Sequence, residues 1–261
     1  MSRRPKIPEI DPWIILEGYM GSISHGTFVP SEREGIDDKD VMGIAIPPKS
    51  YYYGLQNFEH KHTKIDEWDI VIYEIRKYFR LLIKSNPNVL GLLWLKPNLY
   101  TTMTPQGKLL IENRKLFLSN AVYKSFCGYA SSQLHKMTNW GEGSFKSGYM
   151  GKKRKELVDK YGYDVKNSCH LIRLLRMGIE LLMTGEVNVE RPDANYLIDI
   201  KQGKYSLSHI VEESERLFGI IHEALVKSVL PNKLNIKKID ELLIEIISSK
   251  HSEYFLRSDM R

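Results

Sequence analysis

Two aspartates, Asp38 and Asp40, stand two positions apart at the start of an apolar segment. Alternate residues of a β-strand point to the same face, so this spacing would place both carboxylates side by side. Negative charges that close repel each other unless a cation lies between them. Carboxylate oxygens are ligands that Mg²⁺ prefers, and bound Mg²⁺ commonly contacts substrate phosphates as well. The pair therefore predicts a magnesium site, which a third carboxylate, Asp69 on a neighbouring strand, would complete.

Asp37 directly precedes this pair and offers a second register for it. Neighbouring residues of a strand face opposite sides, so Asp37 and Asp38 would diverge, whereas Asp38 and Asp40 would not. The alternation of a strand therefore favours Asp38 and Asp40 as the metal ligands.

A glycine–serine bend, Gly21-Ser22, lies upstream of the aspartates. Because glycine has no Cβ, the backbone N–H groups of such a bend can approach an anion closely. His25 in the same bend would either hydrogen-bond a phosphate or cap the turn. A Gly-Ser bend or an Asp-x-Asp pair is common by itself. Together and in this order, however, the two motifs favour a catalytic site. A phosphate-binding bend beside metal-binding carboxylates is the combination that nucleotidyl transfer requires.

The elements that must position these residues are strands and helices with different hydrophobic periods. Apolar segments of strand length run over 13–20, 40–46 and 69–73, and an apolar stripe of helical spacing follows over 74–84. From about residue 109 onward, helical periodicity dominates. It predicts helices over 119–137, 165–184, 208–229 and 237–249.

This change of period predicts an α+β fold with two domains. Residues 1–105 would form a palm-like domain with a mixed β-sheet, and residues 106–261 would form a helical domain. Pro97, Pro105 and Gly107 interrupt the pattern between the two, which is typical of a boundary.

One stripe of the predicted helix 165–184 carries Lys166, His170 and Arg173, at positions i, i+4 and i+7. Such a stripe would bind a triphosphate and neutralise charge as pyrophosphate leaves. A solvated helix face is the alternative, and the spacing fits both.

A glycine-rich loop over 139–155 mixes aromatic residues with cations. Rings among cations can stack bases and follow a phosphate backbone, so the loop would bind nucleic acid, although a flexible basic linker has the same composition. The cations concerned are Lys146, Lys152, Lys153 and Arg154.

His60 and His62 alternate as zinc ligands on a strand can. Neither a cysteine nor a third histidine lies nearby in the sequence, so a polar sheet edge or a loop is the better interpretation.

The composition excludes several classes of protein. The net charge of +6, from 38 Lys+Arg and 32 Asp+Glu, permits a phosphate-rich partner without requiring one. Two cysteines are too few for a disulfide scaffold or a Cys-rich zinc site. No apolar run approaches the about 20 residues of a membrane span, and the N-terminus lacks the apolar stretch of a signal peptide. These features predict a cytoplasmic protein with no membrane partner.

The run from Gly21-Ser22 to Asp38-x-Asp40 resembles the signature of the DNA polymerase beta-like nucleotidyltransferase superfamily. More narrowly, the sequence is similar to predicted nucleotidyltransferases associated with RNA repair. The similarity continues through a strand–helix–Asn-Pro-Asn segment over 69–90 and through the helix around His170, and it covers roughly residues 14–215.

The resemblance implies two Mg²⁺ ions, which Mn²⁺ can replace, and transfer of a nucleoside monophosphate from an NTP such as ATP to a hydroxyl. Asp38 and Asp40 would bind both ions, and Asp69 would hold the catalytic ion and help to lower the pKa of the attacking hydroxyl. Ser22 and the backbone around Gly21 would contact the β- and γ-phosphates. The association with RNA repair, together with the basic loop, favours an RNA end, including tRNA, as acceptor.

Two other functions fit the same residues. Nucleotidylation of a protein or a small molecule would leave the loop over 139–155 irrelevant to turnover. A nucleotide- or RNA-binding protein without catalysis would bind nucleotide without forming product, and Asp69→Asn would not alter that behaviour.

Overall fold

The computed structural model describes residues 3–29, 37–138 and 152–258. Within these ranges, five strands form one mixed sheet: β1 Ile14–Tyr19, β2 Lys39–Ala45, β3 His60–Ile65, β4 Trp68–Glu74 and β5 Tyr100–Met103. Their order across the sheet is β3-β4-β2-β1-β5. The central pair β2 and β4 is parallel, whereas the other neighbouring strands are antiparallel.

The helices of the same ranges dominate the C-terminal half of the chain. In chain order they are α1 Gly21–Ser24, α2 Ser50–Tyr53, α3 Ile75–Ile83, α4 Pro87–Leu90, α5 Pro105–Glu112, α6 Ala121–Thr138, α7 Lys152–Tyr161, α8 Val165–Thr184, α9 Ala194–Lys201, α10 Leu207–Val226 and α11 Ile236–Ser258. Short 3-10 helices span Asp11–Trp13, Gly91–Trp94, Pro97–Leu99 and Arg114–Phe117. None of the described helices is both long enough and apolar enough to cross a membrane. The predicted α+β fold is confirmed.

The hydrophobic pattern explains the sheet at its centre. β2 is buried on both faces from Val41 onward, whereas β4 alternates between buried and half-buried residues. Ile70 and Ile72 are completely buried on one face of β4, and Asp69 is half-buried on the other. Because β2 and β4 are parallel, both strands begin at the same end of the sheet, where their acidic residues lie.

The predicted strands over 13–20, 40–46 and 69–73 are confirmed by β1, β2 and β4, and the predicted helix over 74–84 is confirmed by α3. The four helices predicted further along correspond to α6, α8, α10 and α11. The last of them runs to Ser258, beyond the predicted end at residue 249.

The sequence pattern did not predict β3 and β5 as strands, and both lie at the edges of the sheet. Edge strands need only one partner and often carry polar or charged residues. β3 is mostly exposed, so its residues show no apolar alternation that would reveal a strand. The histidines His60 and His62 therefore lie on a polar sheet edge.

The chain divides into two compact units, each assembled from separate segments. Unit 1 comprises Met1–His25, Asp38–Leu118 and Lys233–Arg261, and unit 2 comprises Gly26–Asp37 and Ser119–Asn232. Each unit therefore combines an early part of the chain with a late part.

Side chains of α11 explain why the C-terminal segment belongs to unit 1. Gln106 Nε2 donates a hydrogen bond to Ser249 Oγ at 3.0 Å, and the Tyr254 hydroxyl donates to the Ile46 carbonyl at 2.8 Å. His251 is buried, and its Nε2 lies 3.0 Å from the Pro47 carbonyl oxygen. Residues 106–118 and α11 therefore belong to the same unit as the sheet, whereas the predicted division placed the boundary between residues 105 and 106.

Candidate active site

Asp40 and Asp69 lie next to each other across the parallel pair of strands. In the register of β2 and β4, the partner of Asp40 is Asp69. Register partners on neighbouring strands point to the same face of a sheet, about 5 Å apart. Asp38 precedes β2 by one residue and stands two positions before Asp40. The three predicted metal ligands therefore gather at the N-terminal ends of two adjacent strands of unit 1.

Lys64 on β3 joins two of these carboxylates. Its Nζ lies 3.2 Å from Asp38 Oδ2 and 3.0 Å from Asp69 Oδ2. The hydrogen bonds to Asp69 and Asp38 raise the pKa of Lys64 above its usual value. On the same strand, His62 Nε2 lies 2.7 Å from Asp69 Oδ1, so both oxygens of Asp69 have a partner. Sequence reasoning placed neither residue at this site: Lys64 was not singled out, and His62 was considered only as a possible zinc ligand or as part of a polar edge or loop.

The Gly-Ser bend lies directly against Asp40. The backbone N–H of Met20 donates to the Asp40 carbonyl at 2.8 Å. Gly21 adopts the left-handed conformation, with φ +59°, and a Cβ built on it would overlap the Asp40 carboxylate. A residue with a side chain could not occupy this position without moving Asp40, so the glycine lets the bend approach the aspartates closely.

Two side chains of the bend are enclosed by protein. The Ser22 hydroxyl oxygen is buried and has no hydrogen-bond partner among the described residues. A buried hydroxyl without a partner is costly, and a bound oxyanion could satisfy it. The His25 ring is also buried, and its backbone N–H closes the turn on the Gly21 carbonyl at 3.2 Å. The position of His25 at the end of α1 is compatible with both predicted roles, hydrogen-bonding a phosphate and capping the turn.

The donors at this site are of the kind that Mg²⁺ prefers, since all three are carboxylates. Asp38 and Asp69 already share one cation, the ammonium of Lys64, which shows that these two side chains can converge on a positive charge. Across residues 3–29, 37–138 and 152–258, no three His, Cys, Asp or Glu side chains are arranged as a ready-made metal site. The assignment of metal ions to Asp38, Asp40 and Asp69 therefore stays a prediction.

Gly21→Ala is expected to lower any activity of this site by about 100-fold, because the new Cβ would displace the Asp40 carboxylate by an ångström or more. The left-handed backbone adds about 1 kcal/mol of destabilisation. Gly185→Ala is the matched control, since Gly185 has a similar φ of +67° but a Cβ there makes only ordinary contacts. Steady-state kinetics and urea unfolding measure the two effects. Equal activities of the two variants would contradict the expectation.

The predicted cationic stripe lies on α8 in unit 2. Its three members differ in exposure: Lys166 is half-buried, His170 is exposed and Arg173 is buried. Arg173 donates to His170 Nδ1 at 3.0 Å and to Met177 Sδ at 3.3 Å. Within the described residues, no carboxylate lies within ion-pair distance of Arg173, and burial lowers the pKa of its guanidinium to about 10. A solvated helix face therefore does not describe Arg173.

A buried ion pair lies in the same unit and was not foreseen. Lys201, at the end of α9, contacts both carboxylate oxygens of Asp37, at 3.1 and 3.2 Å, and donates to the Thr27 carbonyl at 2.9 Å. Lys166 Nζ lies 3.8 Å from Asp37 Oδ1. Asp37 thus pairs with lysines of unit 2, whereas the adjacent Asp38 pairs with Lys64 in unit 1.

The nucleic-acid residues predicted in the basic loop are only partly within the described structure. Lys146 lies outside the described residues. Lys152, Lys153 and Arg154 lie in the first turn of α7, for which the structure describes the backbone. Their proposed role in binding nucleic acid stays a prediction.

Residues 9–244 match the RNA repair pathway DNA polymerase beta family. This is a family of DNA polymerase beta-like nucleotidyltransferases associated with RNA repair, and the chain belongs to it. The resemblance found in the Gly-Ser and Asp-x-Asp motifs is thereby confirmed.

One solved structure similar to this chain is that of a nucleotidyltransferase-like protein from Exiguobacterium sibiricum 255-15. The similarity covers 95% of this chain and 75% of the other, at 12% identity and a TM-score of 0.27. Curated proteins gave no match.

Proposed function

We propose that this protein transfers a nucleoside monophosphate from an NTP to a hydroxyl acceptor, with release of pyrophosphate. The observation that carries the proposal is the pairing of Asp40 with Asp69 in register beside the Gly21 bend. Two carboxylates on adjacent strands and a backbone that can approach phosphate are the two parts that phosphoryl chemistry needs.

Asp38 and Asp40 would hold two Mg²⁺ ions, or Mn²⁺ in their place, and Asp69 would hold the catalytic ion. When bound, the ions would polarise the α-phosphate and lower the pKa of the attacking hydroxyl. The chain's own contribution is to orient the nucleotide. The buried Ser22 hydroxyl and the backbone at Gly21 would accommodate the β- and γ-phosphates, and His25 would assist them.

Arg173, with Lys166 and His170, would bind phosphate as well. The support for this role is that Arg173 is buried without a carboxylate partner among the described residues. A buried cation without an anion is expensive, so an anionic ligand would recover part of that cost.

Arg173→Met is therefore expected to raise the stability of the ligand-free protein and to raise the KM for NTP at least about tenfold. Arg176→Met is the matched control on the same helix, because Arg176 bridges Asp193 and Glu213, and its loss removes one ion partner from each carboxylate while Arg191 and Arg216 remain. The control variant should be destabilised. Thermal unfolding and initial rates give both readouts, and a destabilised Arg173→Met with an unchanged KM would contradict the role.

The proposed acceptor is an RNA end, including that of a tRNA. The association of the family with RNA repair supports this choice, as does the cluster of lysines and arginine over 146–155. We also propose that the protein acts in the cytoplasm. ATP is among the nucleotides to be tested first.

The decisive experiment incubates the protein with each α-³²P-labelled NTP, Mg²⁺ or Mn²⁺, and a panel of RNA, tRNA and protein acceptors. Label transfer to RNA with release of pyrophosphate would support the proposal. Label on protein alone would favour protein nucleotidylation instead. If the protein binds nucleotide but forms no labelled product, and Asp69→Asn binds nucleotide equally well, the proposed activity is overturned. The protein would then be a nucleotide-binding protein without catalysis.

A further inference from the structure

Lys64 stands among the proposed metal ligands although an ammonium cannot bind a metal ion. Strand pairing places it there, because Lys64 is the register partner of Asp69. Its ammonium contacts Asp69 and Asp38 at the same time, at 3.0 and 3.2 Å. Over the described parts of the chain, no other lysine or arginine lies within ion-pair distance of Asp69. The pairing of β3 with β4 therefore holds the ammonium of Lys64 beside two of the three carboxylates.

A cation beside these carboxylates lowers the repulsion among them, and His62 contacts the other oxygen of Asp69. Asp40 and Asp69 are direct register partners, and like charges opposite each other on neighbouring strands destabilise a sheet. The Lys64 ammonium offsets part of that repulsion. A dication bound to the same Asp69 oxygen would lie within about 5 Å of the ammonium, where like charges repel.

We propose that Lys64 is a tethered cation that holds Asp38 and Asp69 in the metal-free protein and that a divalent ion must displace on binding. This inference rests on the proposed function, which assigns both aspartates to metal. The Lys64 side chain is 60% exposed, so the released ammonium can move into water at little cost. Lys64 thereby weakens metal binding by the bare protein and keeps the aspartates paired until an ion arrives.

The first test is titration with Mn²⁺ in the absence of nucleotide, with free Mn²⁺ followed by electron paramagnetic resonance. Lys64→Met is expected to bind Mn²⁺ about tenfold more tightly than the wild type, because the competing cation is gone. Lys64→Arg, which keeps the charge, should bind close to the wild type. Lys61→Met removes the same charge from the same exposed strand at a position paired with Ile72, and it should leave the affinity unchanged.

A second readout uses the wild-type protein and so does not depend on the folding of a variant. An amine-acetylating reagent, followed by mass spectrometry, reports how accessible the Lys64 amine is. Adding Mg²⁺ should increase acetylation of Lys64 at least about threefold as the ammonium leaves the carboxylates. Acetylation of Lys61 should be the same with and without Mg²⁺.

The outcomes separate the inference from the function on which it rests. Mn²⁺ binding that is equal in the wild type and Lys64→Met, or weaker in the variant, overturns the role of Lys64 and leaves the metal site in place. Lys64 acetylation that does not respond to Mg²⁺, in a protein that binds Mn²⁺, does the same. Absence of Mn²⁺ binding in every protein tested overturns both the tethered cation and the proposed metal-dependent function.

Discussion

Asp40→Asn is expected to reduce label transfer by at least about 10³-fold while leaving the protein folded. Asparagine keeps the shape of aspartate, so the fit against Gly21 is retained. It removes the negative charge that a hard divalent ion requires. Losing several kcal/mol of metal-dependent stabilisation in the transition state corresponds to a factor of ten for each 1.36 kcal/mol, or about 10³ for 4 kcal/mol. Asp69→Asn should have a similar effect, because Asp69 is the register partner of Asp40.

The stability of Asp40→Asn should equal or slightly exceed that of the wild type, since the repulsion between the paired carboxylates is relieved. Asp66→Asn is the matched control, because Asp66 is an exposed acid in the turn between β3 and β4 with φ 53°. Asparagine tolerates that backbone, so only one charge near the site is lost. Activity comes from the labelled-NTP assay and stability from urea unfolding. If Asp40→Asn transfers label as fast as Asp66→Asn does, the proposed catalytic role of the aspartates is contradicted.

Lys201→Met is expected to destabilise unit 2 by about 3 kcal/mol, the largest stability effect of a single change that we foresee. The side chains of Lys201 and Asp37 are each 8% exposed, and their ion pair is reinforced by the Thr27 carbonyl. Removing the lysine leaves the Asp37 carboxylate in a poorly solvated place, where the Val29 backbone N–H still donates to it at 3.2 Å and the nearest remaining lysine among the described residues is Lys166, 3.8 Å away. A buried charge without its partner is costly to keep.

Lys204→Met is the matched control for this prediction. Lys204 pairs with Asp199 at 2.6 Å, but its side chain is 57% exposed, so its loss should cost less than about 1 kcal/mol. The double variant Lys201→Met/Asp37→Asn should recover a large part of the loss, because no buried charge is then stranded. Urea unfolding monitored by circular dichroism compares the three proteins. A cost for Lys201→Met no greater than that for Lys204→Met would contradict the importance of the buried pair.

The parts of the candidate site that follow one another along the chain could be predicted from it. The alternation of a strand favoured Asp38 with Asp40 over Asp37 with Asp38, and the glycine at residue 21 pointed to a close approach of backbone. Asp69 was placed with them because it opens the next apolar segment. These are local properties, since the period of a strand and the conformational range of glycine depend on the residues themselves.

The cations around the acids could not be found in the same way. Lys64 and Lys201 look like ordinary surface lysines in the sequence, yet one lies between two aspartates and the other is buried with Asp37. In each case the partner is distant in sequence, 26 positions away for Lys64 and Asp38 and 164 for Lys201 and Asp37. Only strand register and helix packing decide such pairs.

The amino-acid sequence by itself determined the main strands and helices, the α+β class, the family and the acidic motif. Each of these depends on hydrophobic period, glycine and charge along a short stretch of chain. Tertiary structure alone decided the register in which Asp40 is the direct partner of Asp69, the pairing of Asp37 and Asp38 in different units, and the packing of α11 with the N-terminal sheet. The reason is physical: a side chain's partner is fixed by the burial and pairing of whole elements, and the free energy of that packing is shared among residues far apart in the chain.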